Sequence, residues 1–366
     1  MQTSPVITVI TATFNNVRSH RADFLRQCIE SVHAQTYPHI EHLIVDGAST
    51  DGTCELIREY AHFNGMKLVS EPDEGIYDAF NKGIRQAKGK YIVFLNSDDY
   101  WTNPEAVETT VRLLEQTQAD FCYSHHTRVE ENGELQSVDA PRLGTFFCAM
   151  PFCHQTMFTR KDVLLEMNCF DTSYRIAADY DLMTRIILAG KKPVYIPLNY
   201  TAFRCGGVST TKANNELSQH ERLLMRRKLW APLVGSAVAE TLDSGILPPD
   251  FTKLVIPLVH PVVALDCQAC IQLLENHEYV IHNYTRYMVK WDKTINWGPV
   301  FPDCSQDSLR EIVQLVANKA DIRRRYIREK FLSWVTFGKA RKRHRMNRCH
   351  YKSLLRKLRD FSRVGI

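Results

Sequence analysis

The sequence predicts an α/β fold built on a mostly parallel sheet, from three observations. Short apolar runs alternate with segments of helical spacing over the first hundred residues, a pattern that produces parallel strands with helices on both faces. Two of those runs end in acids: Ile40 to Asp46, and Tyr91 to Leu95 followed by Asn96, Ser97, Asp98 and Asp99. Between them, Ser70 to Gly83 gathers acids, an amide and a lysine where a strand gives way to a helix. Open α/β sheets bind ligands outside the carboxyl ends of their strands, so these polar residues are the first candidates for function.

Taken in order, Pro5 to Ala12 reads as a buried strand from its β-branched content. Phe24 to Ala34 is helical, with Phe24, Leu25, Cys28, Ile29 and Val32 on one side. Ile40 to Asp46 is the second strand. Ser49-Thr50-Asp51-Gly52-Thr53 is a turn with a helix-capping signal, and a helix over Cys54 to Phe63 follows. Met66 to Ser70 is the third strand, Gly75 to Ala87 a helix, and Tyr91 to Leu95 the fourth strand. The next stretch is less regular. It offers a strand at Phe121 to Ser124, a hairpin-like loop around Glu131-Asn132-Gly133, a helix over Ala178 to Ala189 and a strand at Pro193 to Ile196. Glu216 to Trp230 is amphipathic and helical, and residues 250–330 read as mostly helical with proline interruptions. The expected division is a sheet domain over 1–210, a helical extension over 211–322 and a basic tail over 323–366.

A chain of 366 residues fits one large domain, or one domain with an extension. No run reaches the roughly 18 apolar residues of a membrane span; Leu254 to Leu265 is broken by Pro257, His260 and Pro261. No basic region precedes an apolar core at the start, so no secretion signal is expected. Eleven cysteines without such a signal suggest reduced thiols in a cytoplasm. Cys267-Gln268-Ala269-Cys270 lacks the second pair of a zinc site. The net charge of +5 hides an asymmetry: residues 323–366 carry sixteen Lys and Arg against two acids, while the rest carries thirty against thirty-nine. A basic tail on an acidic body implies two tasks in one chain.

The chemistry gathers at the strand ends. Asp98 and Asp99 are oxygen ligands of the kind that suits a hard divalent ion such as Mg²⁺ or Mn²⁺. Asp46, with Gly47 and Gly52 nearby, follows a strand and precedes a helix whose N-terminus favours negative charge. Asp78, Asn81 and Lys82 fall one helical turn apart. No GxGxxG is present, which speaks against a dinucleotide fold of the Rossmann type.

These pieces, in this order, resemble the family 2 glycosyltransferases. The matching residues are Val9 to Asn15, Asp46 to Thr53, Ser70 to Gly83, Leu95 to Asp99, Cys153-His154-Gln155, Ala177 to Leu182 and Phe203 to Ser209. The resemblance covers roughly residues 5–210 and implies the GT-A fold. It is similar to bacterial enzymes that build capsule, O-antigen or exopolysaccharide units. It implies a nucleotide-sugar site formed by Thr11, Thr13, Asn15, Asp46, Asp73, Gly75, Tyr77, Asn81, Asn96 and Ser97, with Asp46 meeting the base. It implies Asp98, together with Asp99, as ligands of Mn²⁺ or Mg²⁺, and Asp179 as the general base of an inverting transfer. Asn96 stands where an Asp is usual, and Ala178 where a Glu is common. Asp181 is a second acidic candidate. His154 reads either as an acceptor or metal contact or as a structural histidine. Asp179 also fits a plain helix cap. Gly206-Gly207-Val208-Ser209 reads as a loop able to close over a donor, or as a turn.

The expected reaction is transfer from a UDP-sugar to a saccharide on a lipid carrier. The basic tail, interleaved with Phe331, Trp334, Phe337, Leu354, Leu358 and Phe361, fits the anionic inner face of the plasma membrane. That would make the protein cytoplasmic and peripheral. Nucleic acid is not the expected partner, and the sequence leaves the oligomeric state open. Two other readings remain: a nucleotidyltransferase, for which a basic, glycine-rich phosphate loop is missing at Thr11 to Asn16, and an inactive scaffold that binds membrane or nucleic acid.

Overall fold

The computed structural model describes residues 4–139, 150–207 and 212–234. All lie in one compact unit, Met1–Pro141 with Phe146–Asp243. Its elements are β1 (Ile7–Thr13), α1 (Ala22–His33), β2 (Ile40–Asp46), α2 (Thr53–Arg58), β3 (Met66–Ser70), α3 (Ile76–Gln86), β4 (Tyr91–Phe94), β5 (Tyr100–Trp101), α4 (Ala106–Thr117), β6 (Phe121–Val129), β7 (Leu135–Asp139), β8 (Thr159–Arg160), α5 (Lys161–Glu166), α6 (Ala178–Leu188), β9 (Pro193–Arg204) and α7 (Lys212–Val234).

The strands form one sheet in the order β3-β2-β1-β4-β8-β6-β9-β5, with β7 on β6. β1, β2, β3 and β4 are parallel to their neighbours in this half, and β6 is parallel to β9. The two-residue β8 runs antiparallel between β4 and β6. The sheet is therefore mixed, with the expected parallel order in its first half. Every residue of β1 and β4 is buried, because helices cover both faces of a parallel sheet. Gly83 lets α3 lie against β1: a Cβ there would stand 2.6 Å from Ile10 Cγ2.

Several elements differ from the sequence reading for identifiable reasons. α2 stops at Arg58 because the next amides bond three residues back, Tyr60 N to Ile57 O and Phe63 N to Tyr60 O, which tightens the chain into 3₁₀-type turns. β6 continues to Val129 through polar residues that pair with both β7 and β9. β9 runs on to Arg204, with Pro197 in the stretch where the register slips from Ser124↔Ile196 to His125↔Asn199. A bulge of this kind tolerates a proline that would break a regular strand. α4 and α5 and the short β5 and β8 are additions. The end expected for the sheet domain, residue 210, falls just before α7, which belongs to the same unit as the sheet. Among the described residues no helix is long and apolar enough to cross a membrane. Most of the extension and the whole basic tail lie outside the described residues.

Candidate active site

β1 is flanked by β2 on one side and β4 on the other, so the chain reverses its direction of growth across the sheet at this point. The carboxyl ends of these strands form the crevice where such sheets bind ligands. Thr13, Asp46, Asn96, Ser97 and Asp98 are delivered there by strand geometry alone.

Asp46 is fully buried. Its Oδ1 accepts hydrogen bonds from Thr13 Oγ1 at 3.1 Å and Ser49 Oγ at 2.5 Å. Its Oδ2 accepts from Ser49 N at 2.8 Å, Ser70 Oγ at 2.8 Å and Cys54 Sγ at 3.2 Å. Burial works against its charge, but the bonds from Ser49, Ser70 and Cys54 outweigh burial and hold the carboxyl below its ordinary range. Five donors use up its acceptor capacity, so Asp46 braces the crevice floor. Thr11 is buried too, and its Oγ1 lies 3.1 Å from His42 Nε2. Asn15 is tied to the same turn: its N–H donates to Ser49 Oγ at 2.8 Å, and its Oδ1 accepts from Thr50 N at 3.2 Å.

The rim above Asp46 holds a residue that the sequence reading passed over. Phe14 is 62% exposed. It lies beside Gly47, where a Cβ would stand 3.1 Å from its ring and 2.6 Å from Asp73 Oδ2. Gly47 thus lets an aromatic ring and an acid approach one backbone. Asp73 Oδ1 accepts from Gly75 N at 2.9 Å, and burial raises its pKa. An aromatic residue directly after a strand that ends Thr11-Ala12-Thr13 was legible as a signal.

Asp98 and Asp99 have separate environments. Asp98 Oδ2 is ion-paired with Arg21 Nη1 at 2.7 Å and is partly open to solvent. Burial raises its pKa against the pull of Arg21 and Arg204. Asp99 is enclosed. Its Oδ1 accepts from Arg204 N at 2.8 Å, and its Oδ2 from Gln155 Nε2 and from Asn96 Nδ2 at 3.2 Å. Burial, and then the charge of Asp98, push it well above the usual carboxylate range. Asp99 therefore holds the motif together, and Asp98 alone of the pair faces the crevice. Ser97 Oγ accepts from Asn16 Nδ2 at 3.0 Å, which fixes the turn between them. Among the described residues no group of three His, Cys, Asp or Glu side chains could hold a metal. A hard cation bound by one carboxylate takes its remaining oxygens from phosphates and water, and Asp98 fits that arrangement.

Asp179 stands at the start of α6. Its Oδ1 accepts from Tyr180 N at 2.7 Å, and its Oδ2 lies 3.3 Å from His154 Nδ1. His154 Nε2 is buried and has no hydrogen-bond partner among the described residues. The two side chains share an apolar cavity with Phe94, Phe170, Leu182 and Met183. Asp181 points elsewhere. It is fully buried and pairs with Arg185 at 2.7 Å, whose guanidinium also donates to the Met167 and Cys169 carbonyls. The expectation of an acceptor or metal contact at Asp181 is corrected to a clamp inside the helix layer.

Two residues expected at the donor face inward instead. Tyr77 is buried and its hydroxyl donates to Ile176 O at 2.6 Å. Asn81 bonds Phe170 in both directions at 2.9 Å, accepting from its N–H and donating to its carbonyl. Both fix the segment that leads into α6 and Asp179.

The comparisons with known proteins bear on the family and the fold. The model of Glycosyl transferase family 2 matches residues 8–175. An uncharacterized glycosyltransferase of Mycobacterium tuberculosis is 30% identical over 228 residues, which cover 57% of this chain and 79% of that protein. The PGL/p-HBAD biosynthesis glycosyltransferase of Mycobacterium tuberculosis is 27% identical over 238 residues, covering 63% of this chain and 89% of its relative. Among solved structures, S. aureus TarS 1-349 in complex with UDP-GlcNAc has a TM-score of 0.53 at 16% identity, covering 86% of this chain and 88% of that one. The match spans 49% of a longer TarS chain. The fold is thus the GT-A fold of glycosyltransferases. The chain belongs to glycosyltransferase family 2, and it is an enzyme of that class.

Proposed function

We propose that this enzyme transfers a sugar from a UDP-sugar to a saccharide acceptor with inversion at the anomeric carbon, in the synthesis of a bacterial surface polysaccharide. The observation that carries the reading is one short turn, His154–Thr156. Gln155 in this turn donates to Asp99, and its neighbour His154 lies 3.3 Å from Asp179. A single turn thus ties the strand-end acids to the acid at the start of α6.

The nucleotide rests at the carboxyl ends of β1 and β2. Phe14 offers an open ring face to the base, and Asn15 and Asp73 border it, while Asp46 keeps the Ser49 and Ser70 hydroxyls in place beneath. Mn²⁺ or Mg²⁺ bound through Asp98 would offset the charge that develops on the departing diphosphate. Arg21 and the loop at Gly206 stand at the same place and add positive charge and cover. Asp179 Oδ2 accepts the proton of the acceptor hydroxyl as that oxygen attacks the sugar. His154 Nδ1 holds this oxygen in place. A single displacement with one base inverts the configuration. The PGL/p-HBAD relative and the UDP-GlcNAc complex of TarS support the choice of sugar transfer and of a uridine nucleotide. A lipid-linked acceptor at the inner membrane face rests on the basic tail of the sequence.

The test is thermal stabilisation by UDP, GDP, ADP and CDP, each with and without Mn²⁺. Stabilisation by UDP that needs Mn²⁺ supports the donor class and the role of Asp98. Preference for another nucleotide overturns the UDP assignment, and equal shifts without metal overturn the metal.

A further inference from the structure

Within the first turn of α6, Asp179 Oδ1 accepts from Tyr180 N, but the segment that leads into the helix is held from elsewhere. Ala177 precedes the helix and supplies no side-chain hydrogen bond, and its own N–H, like those of Arg175 and Ile176 before it, needs a partner when buried. The partner comes from 44 or more residues away in the chain. Glu221 of α7 is buried, and its Oε1 accepts from Arg175 N at 2.8 Å, while its Oε2 accepts from Ile176 N at 2.8 Å and Ala177 N at 3.0 Å. Three backbone donors in sequence converge on one carboxylate. The carbonyl of Ile176 is taken by the Tyr77 hydroxyl. The peptide two residues before Ala178 is thus gripped from both sides, by α7 and by α3.

α7 is built to deliver this group. Ser218, Glu221 and Met225 are buried at helical spacing. Further along, Lys228 pairs with Asp171 at 2.6 Å, at the other end of the loop that leads into α6. A buried carboxylate is costly unless its hydrogen bonds are made. Here they are made entirely to the segment that aims Asp179, at the positive end of the α6 dipole.

We propose that Glu221 is a positioning residue for the transfer reaction. It locks the backbone at 175–177 so that Asp179 Oδ2 stays at its place beside His154. The inference rests on Asp179 as the general base. α7, which the sequence reading assigned to an extension without a motif, is on this view part of the catalytic apparatus.

The experiment compares Glu221→Gln, Asp179→Asn and the double variant in the full chain. Gln keeps the volume of Glu but presents an NH₂ group where one oxygen accepted, so at least one of the three backbone donors loses its partner without a cavity. Released UDP is measured with UDP-GlcNAc, UDP-glucose and UDP-galactose, and amide exchange is followed by mass spectrometry over 175–181. The expected result is faster exchange over 175–181 in Glu221→Gln, with kcat reduced at least tenfold and KM for the UDP-sugar within about threefold. Because Glu221 acts through Asp179, the double variant should be no slower than Asp179→Asn alone. Unchanged exchange over 175–181 overturns the proposal, whatever the turnover. So does an unchanged kcat, or a double variant in which the two losses multiply. The base assignment fails separately: if Asp179→Asn retains wild-type turnover, that reading falls whatever Glu221 does.

Discussion

Arg21 Nη1 lies 2.7 Å from Asp98 Oδ2, and the other terminal nitrogen of Arg21 donates to the Gly206 carbonyl at 2.8 Å. The acid assigned to a divalent ion thus already carries a cation, and that cation reaches across to the loop after β9. A guanidinium and a metal compete for the same oxygen. A partly exposed pair of this kind contributes up to about 1 kcal/mol, which is about a fivefold effect on an equilibrium. Arg21→Ala should therefore bind Mn²⁺ alone up to about fivefold more tightly by calorimetry. It should also lose affinity for UDP in the absence of metal. If Asp98→Asn binds Mn²⁺ as tightly as the parent chain, Asp98 is not the ligand.

Asp179→Asn should keep the hydrogen bond from Tyr180 N, because the amide oxygen can still accept it. It removes the proton acceptor. Transfer should fall by about 10²- to 10⁴-fold, the usual worth of general base catalysis. Thermal stabilisation by UDP with Mn²⁺ should remain. Loss of that stabilisation along with transfer would make Asp179 a structural residue.

The sequence carried the parallel half of the fold because its strands are short, fully apolar and bounded by turns, and helical spacing lies between them. β2 and β3 match their expected ends residue for residue. The far half was harder to read. β6 and β9 continue through polar residues and past Pro197, which local pattern treats as loop, and only pairing across the sheet keeps them extended. The acids at the site were legible as residue types at strand ends. Their division of labour was not. Whether a carboxylate faces the crevice or is consumed inside the fold depends on donors remote in sequence, Ser70 for Asp46 and Gln155 for Asp99, or on which face of its helix it takes, as for Asp181 with Arg185 one turn on. Glu221 was invisible for the same reason, since its three partners lie on another element.

The different environments of the two adjacent acids give opposite expectations. Asp98→Asn should leave stability nearly unchanged and remove the effect of Mn²⁺ on UDP binding. Asp99→Asn turns an NH₂ towards donors from Gln155, Asn96 or Arg204 and leaves at least one of them unpaired. The cost should be about 1–3 kcal/mol in urea unfolding. Equal destabilisation by the two variants would contradict the arrangement described for the motif.

Residues 323–366 carry sixteen basic and two acidic residues. Each Lys or Arg near an anionic bilayer contributes about 1 kcal/mol, and the effect is screened by salt. A chain lacking these residues should no longer sediment with phosphatidylserine vesicles at 100 mM salt (about one Debye length of 10 Å), while the intact chain should. Undiminished binding of the shortened chain would place the membrane contact elsewhere or remove it.

His42 makes the fold sensitive to acid. It is fully buried on β2, within 3.1 Å of Thr11 Oγ1 and 3.4 Å of His33 Nε2. Burial, and then the neighbouring His33, lower its pKa from 6.5 to about 3. Above pH 6.5 the ring is neutral in both the folded and the unfolded chain, and its contribution is fully present. Between pH 6.5 and about 3 the unfolded chain takes up a proton that the folded chain refuses, so stability falls as pH falls. The slope is about 1.4 kcal/mol per pH unit, and the loss from pH 7 to pH 5 is about 2 kcal/mol. His42→Gln has no proton to gain. Urea unfolding at pH 7 and pH 5 should therefore show a smaller drop for the variant than for the wild-type chain, by about that amount. An identical drop in both would mean that His42 accepts its proton within the fold, and that Thr11 and His33 accommodate the charge.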